Sequence, residues 1–172
     1  VNDKEAYIIT NYHVISRAVK NEGTNLEVLT AEDYWTYEGE VVGYDQVADI
    51  GVIKITKQDN EEWKPFEFAE QEDINTGDPV VVIGHGMGMP WTTTQGHITH
   101  SSRYGLRPYS LMIQTDAVIN QGNSGGPIMN LEGNVIGVAQ AIYSPGRAIP
   151  GWDGVGVAIS ANQAKRAYDY IM

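Results

Sequence analysis

Residues 122–127 read Gly122-Asn123-Ser124-Gly125-Gly126-Pro127, a serine flanked by glycines. Glycines on both sides let backbone N–H groups crowd around a reacting oxygen, which is how an oxyanion hole is built. The same string satisfies the G-x-S-x-G pattern of the α/β-hydrolase elbow, so its surroundings must separate the two. All 4 histidines, His13, His85, His97 and His100, precede Ser124. An α/β-hydrolase needs its histidine after the serine and a helix after the elbow. Here Pro127 and a strand-like Ile128–Asn130 follow instead. An α/β-hydrolase is excluded on both counts.

Serine is a poor nucleophile unless an imidazole takes its proton, and the imidazole needs a carboxylate to hold its tautomer and stabilise the imidazolium. The chain offers His13 in Thr10-Asn11-Tyr12-His13-Val14-Ile15 and Asp49 in Ala48-Asp49-Ile50-Gly51-Val52-Ile53-Lys54. The order His, Asp, Ser is that of the chymotrypsin-like serine peptidases. Asp45 is a rival for Asp49, but the β-pattern Ile50–Ile55 directly after Asp49 decides for Asp49 and leaves Asp45 as a turn acid. Asp116 reads as a structural hydrogen-bonder. A lone histidine at a strand end is ordinarily a hydrogen-bonded structural residue, and only its coupling to Asp49 and Ser124 makes His13 a base.

Outward from these residues, short β-branched and aromatic runs recur at 6–10, 26–30, 34–44, 50–56, 79–83, 111–115, 134–143 and 155–159, separated by Gly, Asn, Asp and Pro turns. This is the rhythm of an all-β barrel or sandwich. Two segments read as helix: Val14–Lys20, and Ser160–Met172, where Ser160 is an N-cap candidate. The acid-rich stretch Gln58–Asp73 reads as a solvated connector between two β halves. The expected organisation is one domain, with an N-terminal half over 1–70, a C-terminal half over 71–159 and a helix over 160–172. At 172 residues, 42% hydrophobic and 19% charged, the chain is long enough to bury a core.

With 11 Lys and Arg against 22 Asp and Glu the formal charge is −11. That field repels phosphate backbones and anionic membranes, so the expected partner is a polypeptide, not a nucleic acid or a membrane surface. No apolar run approaches the length of a membrane helix, so no membrane insertion is expected. With 0 Cys there is no disulfide, cysteine nucleophile or thiolate metal site. His85, His97 and His100 with Met87 and Met89 carry ligand types suited to copper or zinc. However, a strand would put His97 and His100 on opposite faces and no carboxylate lies nearby in sequence, so no metal and no organic cofactor is expected. Trp35, Tyr37, Trp91 and Tyr109 alternate with polar residues as half-buried packing would.

Four motifs taken together resemble the HtrA (Deg) serine proteases: Tyr12-His13-Val14-Ile15; Asp49-Ile50-Gly51-Val52-Ile53-Lys54-Ile55; Thr76-Gly77-Asp78-Pro79-Val80-Val81-Val82-Ile83-Gly84; and Gln114–Pro127 around the serine. The resemblance covers nearly the whole chain. It implies two six-stranded antiparallel β-barrels with the site between them and a C-terminal helix. His13 would be general base, Asp49 its orienting carboxylate and Ser124 the nucleophile, with the backbone N–H groups of Gly122, Ser124 and Asn123 as oxyanion donors. It also implies polypeptide substrates, an extracytoplasmic setting such as the periplasm, and a homotrimer as the common assembly.

Three departures accompany the resemblance. The chain starts only a few residues before Tyr7–Thr10, so the first barrel is expected to be incomplete and Val1 reads as a cut end. No PDZ module is expected after the final helix. The loop Gly84-His85-Gly86-Met87-Gly88-Met89-Pro90 differs from the family's Asn-Pro-Phe-Gly type. By the trypsin-fold pattern Val118, six residues before the serine, lies at the base of the primary pocket, with Ala141, Ile142, Val155 and Gly156 through Val157 as walls. No carboxylate sits there to pair with Lys or Arg. Glutamyl endopeptidases carry a histidine fifteen residues after the serine, where this chain has Ala139, so a small aliphatic P1 side chain is expected. Asn123 replaces the Asp that in digestive trypsins pairs with a new N-terminus. Two further readings stand beside the endopeptidase: a peptide-binding or chaperone-like module with a latent triad, and a protease that processes its own precursor or a polyprotein.

Overall fold

The computed structural model describes residues 4–21, 25–31, 35–57, 63–104, 111–142 and 155–172. They divide into two compact units, one of residues 1–65 with 167–172 and one of residues 66–166.

The first unit is built on β4 (Ile50–Thr56), whose near-continuous apolar run Ile50-Gly51-Val52-Ile53-Lys54-Ile55 suits a strand paired on both sides. On one side it pairs antiparallel with β1 (Glu5–Thr10), in register from Glu5 opposite Thr56 to Thr10 opposite Gly51. On the other it pairs with β3 (Thr36–Asp45), with a bulge between Val41 and Gly43. Strand β2 (Leu26–Leu29) adds to β3 and completes the order β1-β4-β3-β2. Among the described residues the expected first barrel is a four-stranded sheet with β1 and β2 at its two ends. Ala6, Tyr37 and Ile55 form a buried cluster, covered by Ile8, Val28 and Trp63. Trp63 meets Tyr37 edge-on at 5.2 Å, so the acid-rich segment is not wholly a solvated connector.

Between β1 and β2 lies helix α1 (Tyr12–Lys20), which starts two residues earlier than the sequence pattern suggests. Ile15 is the residue it buries, and Ile15 reaches Gly51 so closely that a Cβ there would lie 2.4 Å from Ile15 Cδ1. A side chain at 51 would therefore force the Ile15 side chain to shift. Ile171, at the end of helix α2 (Ala161–Ile171), stands over Gly43 in the same way. Ser160 caps α2 as expected, its Oγ accepting from the Gln163 N–H at 3.3 Å.

The second unit is a closed barrel in the order β10-β7-β6-β5-β8-β9. Its strands are β5 (Pro79–Gly84), β6 (Thr92–Arg103), β7 (Met112–Thr115), β8 (Pro127–Met129), β9 (Val135–Ile142) and β10 (Gly156–Ser160). Val80, Val82, Ile98, Ile113, Ile128 and Ile136 fill it. The longest strand, β6, was not among the expected ones. Its sequence Thr-Thr-Thr-Gln-Gly-His-Ile-Thr-His-Ser-Ser-Arg is polar on both faces and buries only Ile98 fully, so it carries no apolar alternation to read. Gly96 lets β6 pass close to the next segment, since a Cβ there would lie 2.4 Å from the Ala117 nitrogen. Within 63–73 the backbone is not free either: Ala69 N–H donates to Val135 O and Val135 N–H to Glu67 O, at 2.9 and 2.8 Å. Tyr34, Tyr109 and Tyr143, placed in strands or packing by their sequence, lie outside the described residues.

Candidate active site

In the first unit the end of β1 runs through Asn11 into α1, and the start of β4 follows the turn that contains Asp49. Asp45 organises that turn, its Oδ1 accepting from the Val47 and Ala48 N–H groups at 2.8 and 3.0 Å, which is the turn role expected of it. Asp49 itself has φ 59°, a left-handed conformation that costs a residue with a Cβ about 1–2 kcal/mol. Its carbonyl accepts from the Tyr12 N–H and from Asn11 Nδ2, both at 3.1 Å. Its carboxylate then meets His13 twice. Oδ1 accepts from the His13 backbone N–H at 2.9 Å, and Oδ2 lies 2.8 Å from Nδ1 of the ring.

The pair is asymmetric in exposure: the Asp49 side chain is 2% exposed and that of His13 45%. A buried carboxylate on Nδ1 favours the tautomer that carries its ring proton on that nitrogen. The carboxylate also sits at the N-terminus of α1, where the helix dipole favours a negative charge.

In the second unit Ser124 lies in a turn stitched on three sides. Asn123 N–H donates to Asn120 O and Gly126 N–H to Asn123 O, each at 3.0 Å, while Gly125 N–H donates to Ala139 O at 2.8 Å. His85 N–H donates to Gly122 O at 3.2 Å and ties the turn to the segment after β5. Gly122 has φ 99° and a Cβ on it would lie 2.2 Å from His85 O, so only glycine fits. Among the described residues, the N–H groups of Gly122 and Ser124 have no hydrogen-bond acceptor. That of Asn123, the third expected donor, is engaged inside the turn and is not available to an oxyanion. The Ser124 hydroxyl donates to the Gln140 carbonyl at 2.7 Å, a partner on β9 that no sequence signal pointed to.

Of the expected pocket residues, Val118 is half-buried and its carbonyl accepts from Thr94 Oγ1 at 2.8 Å. Gly156 is buried against Ile119 and pairs with Ile142, and Val157 pairs with Ala141. The side chains of Ala141 and Ile142 lie outside the described residues, and Val155 is half-buried. Ala139 is fully buried in the barrel core. Asp116 accepts from the His97 backbone N–H, the structural part expected of it. Among the described residues no group of three or more His, Cys, Asp or Glu side chains could hold a metal ion. No helix among them is long and apolar enough to cross a membrane.

A model of the trypsin-like peptidase domain family matches residues 1–138. The chloroplastic Protease Do-like 1 of Arabidopsis thaliana is 38% identical over 175 residues, spanning 99% of this chain and 38% of that protein. A probable periplasmic serine endoprotease, DegP-like, of Rhizobium meliloti (strain 1021) is 35% identical over 175 residues, spanning 98% of this chain and 32% of that protein. Among solved structures, the HtrA-type protease AlgW with decapeptide superposes with a TM-score of 0.81 at 33% identity, covering 96% of this chain and 48% of that one. The chain thus spans 32–38% of the length of these curated relatives.

Proposed function

This chain belongs to the trypsin-like peptidase domain family, and on that premise we propose that it is a serine endopeptidase acting through His13, Asp49 and Ser124. The observation that carries the proposal is the buried Asp49 carboxylate held at 2.8 Å from Nδ1 of a half-exposed His13. In the proposed reaction Ser124 Oγ attacks the scissile carbonyl carbon while His13 Nε2 takes its proton. The tetrahedral oxyanion is held by the N–H groups of Gly122 and Ser124. Collapse breaks the C–N bond, with His13 returning the proton to the departing amine. Water, deprotonated by His13, then releases the acid and restores the serine.

The proposed substrates are unfolded or exposed protein segments. Val118, which the trypsin-fold pattern assigns to the base of the primary pocket, supports a small aliphatic P1 side chain, and the names of the relatives support an extracytoplasmic site of action and polypeptide ligands. A trimer is proposed on family resemblance alone.

A second reading, a peptide-binding module with a latent triad, is favoured by one observation: the Ser124 proton points at the Gln140 carbonyl. An active-site fluorophosphonate with intact-mass detection separates the two. One adduct on the wild type and none on Ser124→Ala or His13→Ala is the outcome expected of the endopeptidase. A folded wild type that takes no adduct leaves the binding module as the better reading.

A further inference from the structure

At the start of α1 two residues have exchanged their ordinary work. Asn11 stands at the N-cap, where an asparagine side-chain oxygen normally accepts from the N–H of the second or third helical residue. Here it makes no such bond. The N–H of the second helical residue, His13, goes instead to Oδ1 of Asp49, thirty-six positions away in sequence. The Asn11 amide is turned the other way, with Nδ2 donating to the Asp49 carbonyl. Asn11 is fully buried, and its Oδ1 has no hydrogen-bond partner among the described residues. A buried acceptor left unmet is unfavourable, and so is a left-handed Asp49, yet both are retained at one spot. The conformation of Asp49 is what joins them: turning its backbone to φ 59° swings the carboxylate toward His13, and the carbonyl so displaced is caught by the Tyr12 N–H and the Asn11 amide.

The geometry points to Asn11 as a positioning residue for the reaction: its amide holds Asp49 in the left-handed conformation that sets the carboxylate on Nδ1 of His13. Asn11 touches no substrate and acts only through Asp49. The inference rests on the peptidase reading for its kinetic consequence, but its structural part stands or falls independently. Asn11→Ala removes the donor. Asn11→Asp keeps the shape, replaces the donor by a carboxylate facing the Asp49 carbonyl, and serves as the second variant.

The test follows the low-field proton resonance of His13 Nδ1–H, assigned with ring-labelled histidine and His13→Ala, together with peptide hydrolysis. In both folded variants the resonance is expected to broaden or move upfield. The value of kcat is expected to fall about 10²-fold at nearly unchanged KM, the size associated with a misplaced catalytic group. A folded Asn11→Ala with the wild-type resonance would overturn the inference, as would a wild type in which no such resonance exists. Unfolding of both variants would assign Asn11 to the fold and equally overturn it. If the wild type cleaves no peptide, the function proposed above fails, while the resonance still decides the part played by Asn11.

Discussion

At the scale of single residues the site depends on groups that admit no close substitute. Asp49→Asn keeps the volume of the buried side chain but removes the charge that favours a proton on Nδ1 of His13. The expected loss is about 10⁴-fold in kcat, the size seen when a triad carboxylate becomes an amide, with KM little changed in steady-state kinetics. Gly122 is constrained twice, by φ 99° and by the His85 carbonyl 2.2 Å from where a Cβ would stand. Gly122→Ala must rotate the peptide proposed to present an oxyanion donor. It is expected to abolish fluorophosphonate labelling and to lower stability by about 1 kcal/mol or more in urea titration.

At the scale of elements the contact of α1 with β4 holds His13 beside Asp49, and it passes through Ile15 and Gly51. Gly51→Ala drives a methyl into Ile15 Cδ1, whereas Ile15→Val removes that methyl. The double variant is therefore expected to be more stable than the sum of the single effects predicts, by a coupling of about 0.5–3 kcal/mol in a double-mutant cycle. On the same sheet Lys54 bridges three strands, lying 2.8 Å from Glu40 on β3 and 3.7 Å from Glu5 on β1, and Glu5 accepts from the Tyr7 hydroxyl at 3.0 Å. The Lys54 ammonium is held above its ordinary pKa, first by its hydrogen bond to Glu40, and the Tyr7 phenol is held up first by its hydrogen bond to Glu5. Both shifts mean that the folded chain keeps these protons more tightly than the unfolded chain. Their contribution is thus complete below the ordinary values near pH 10 and lost as pH rises through the raised ones. Thermal melts between about pH 8 and 11 are expected to show this alkaline loss, and Lys54→Met is expected to flatten it.

At the scale of the whole molecule the governing quantity is the net charge of −11. A field of that sign draws cationic chains toward the surface, and salt screens it over roughly 10 Å at 0.1 M ionic strength. For a peptide with lysines flanking an aliphatic P1 residue, kcat/KM is expected to fall severalfold as salt rises. The uncharged counterpart is expected to change little, and equal salt responses in stopped-assay rates would remove steering from the account.

The all-β class and the two helices were legible in the sequence because each rests on local pattern, and His13, Asp49 and Ser124 were nominated there by chemistry that demands particular residue types. Glycines must flank a serine whose neighbouring amides face an oxyanion, and a base and a carboxylate must come with it. Strand β6 was illegible, because within a closed barrel its hydrogen bonds to β5 and β7 hold a polar sequence extended without help from side-chain alternation. So too were the left-handed turn of Asp49, the diversion of the Asn11 amide from its cap, and the Gln140 carbonyl that receives the Ser124 proton. Each joins groups far apart in sequence through a backbone atom, and backbone atoms are identical in every residue. Sequence determines which side chains are present, whereas only the packed chain decides which carbonyl or amide each one meets.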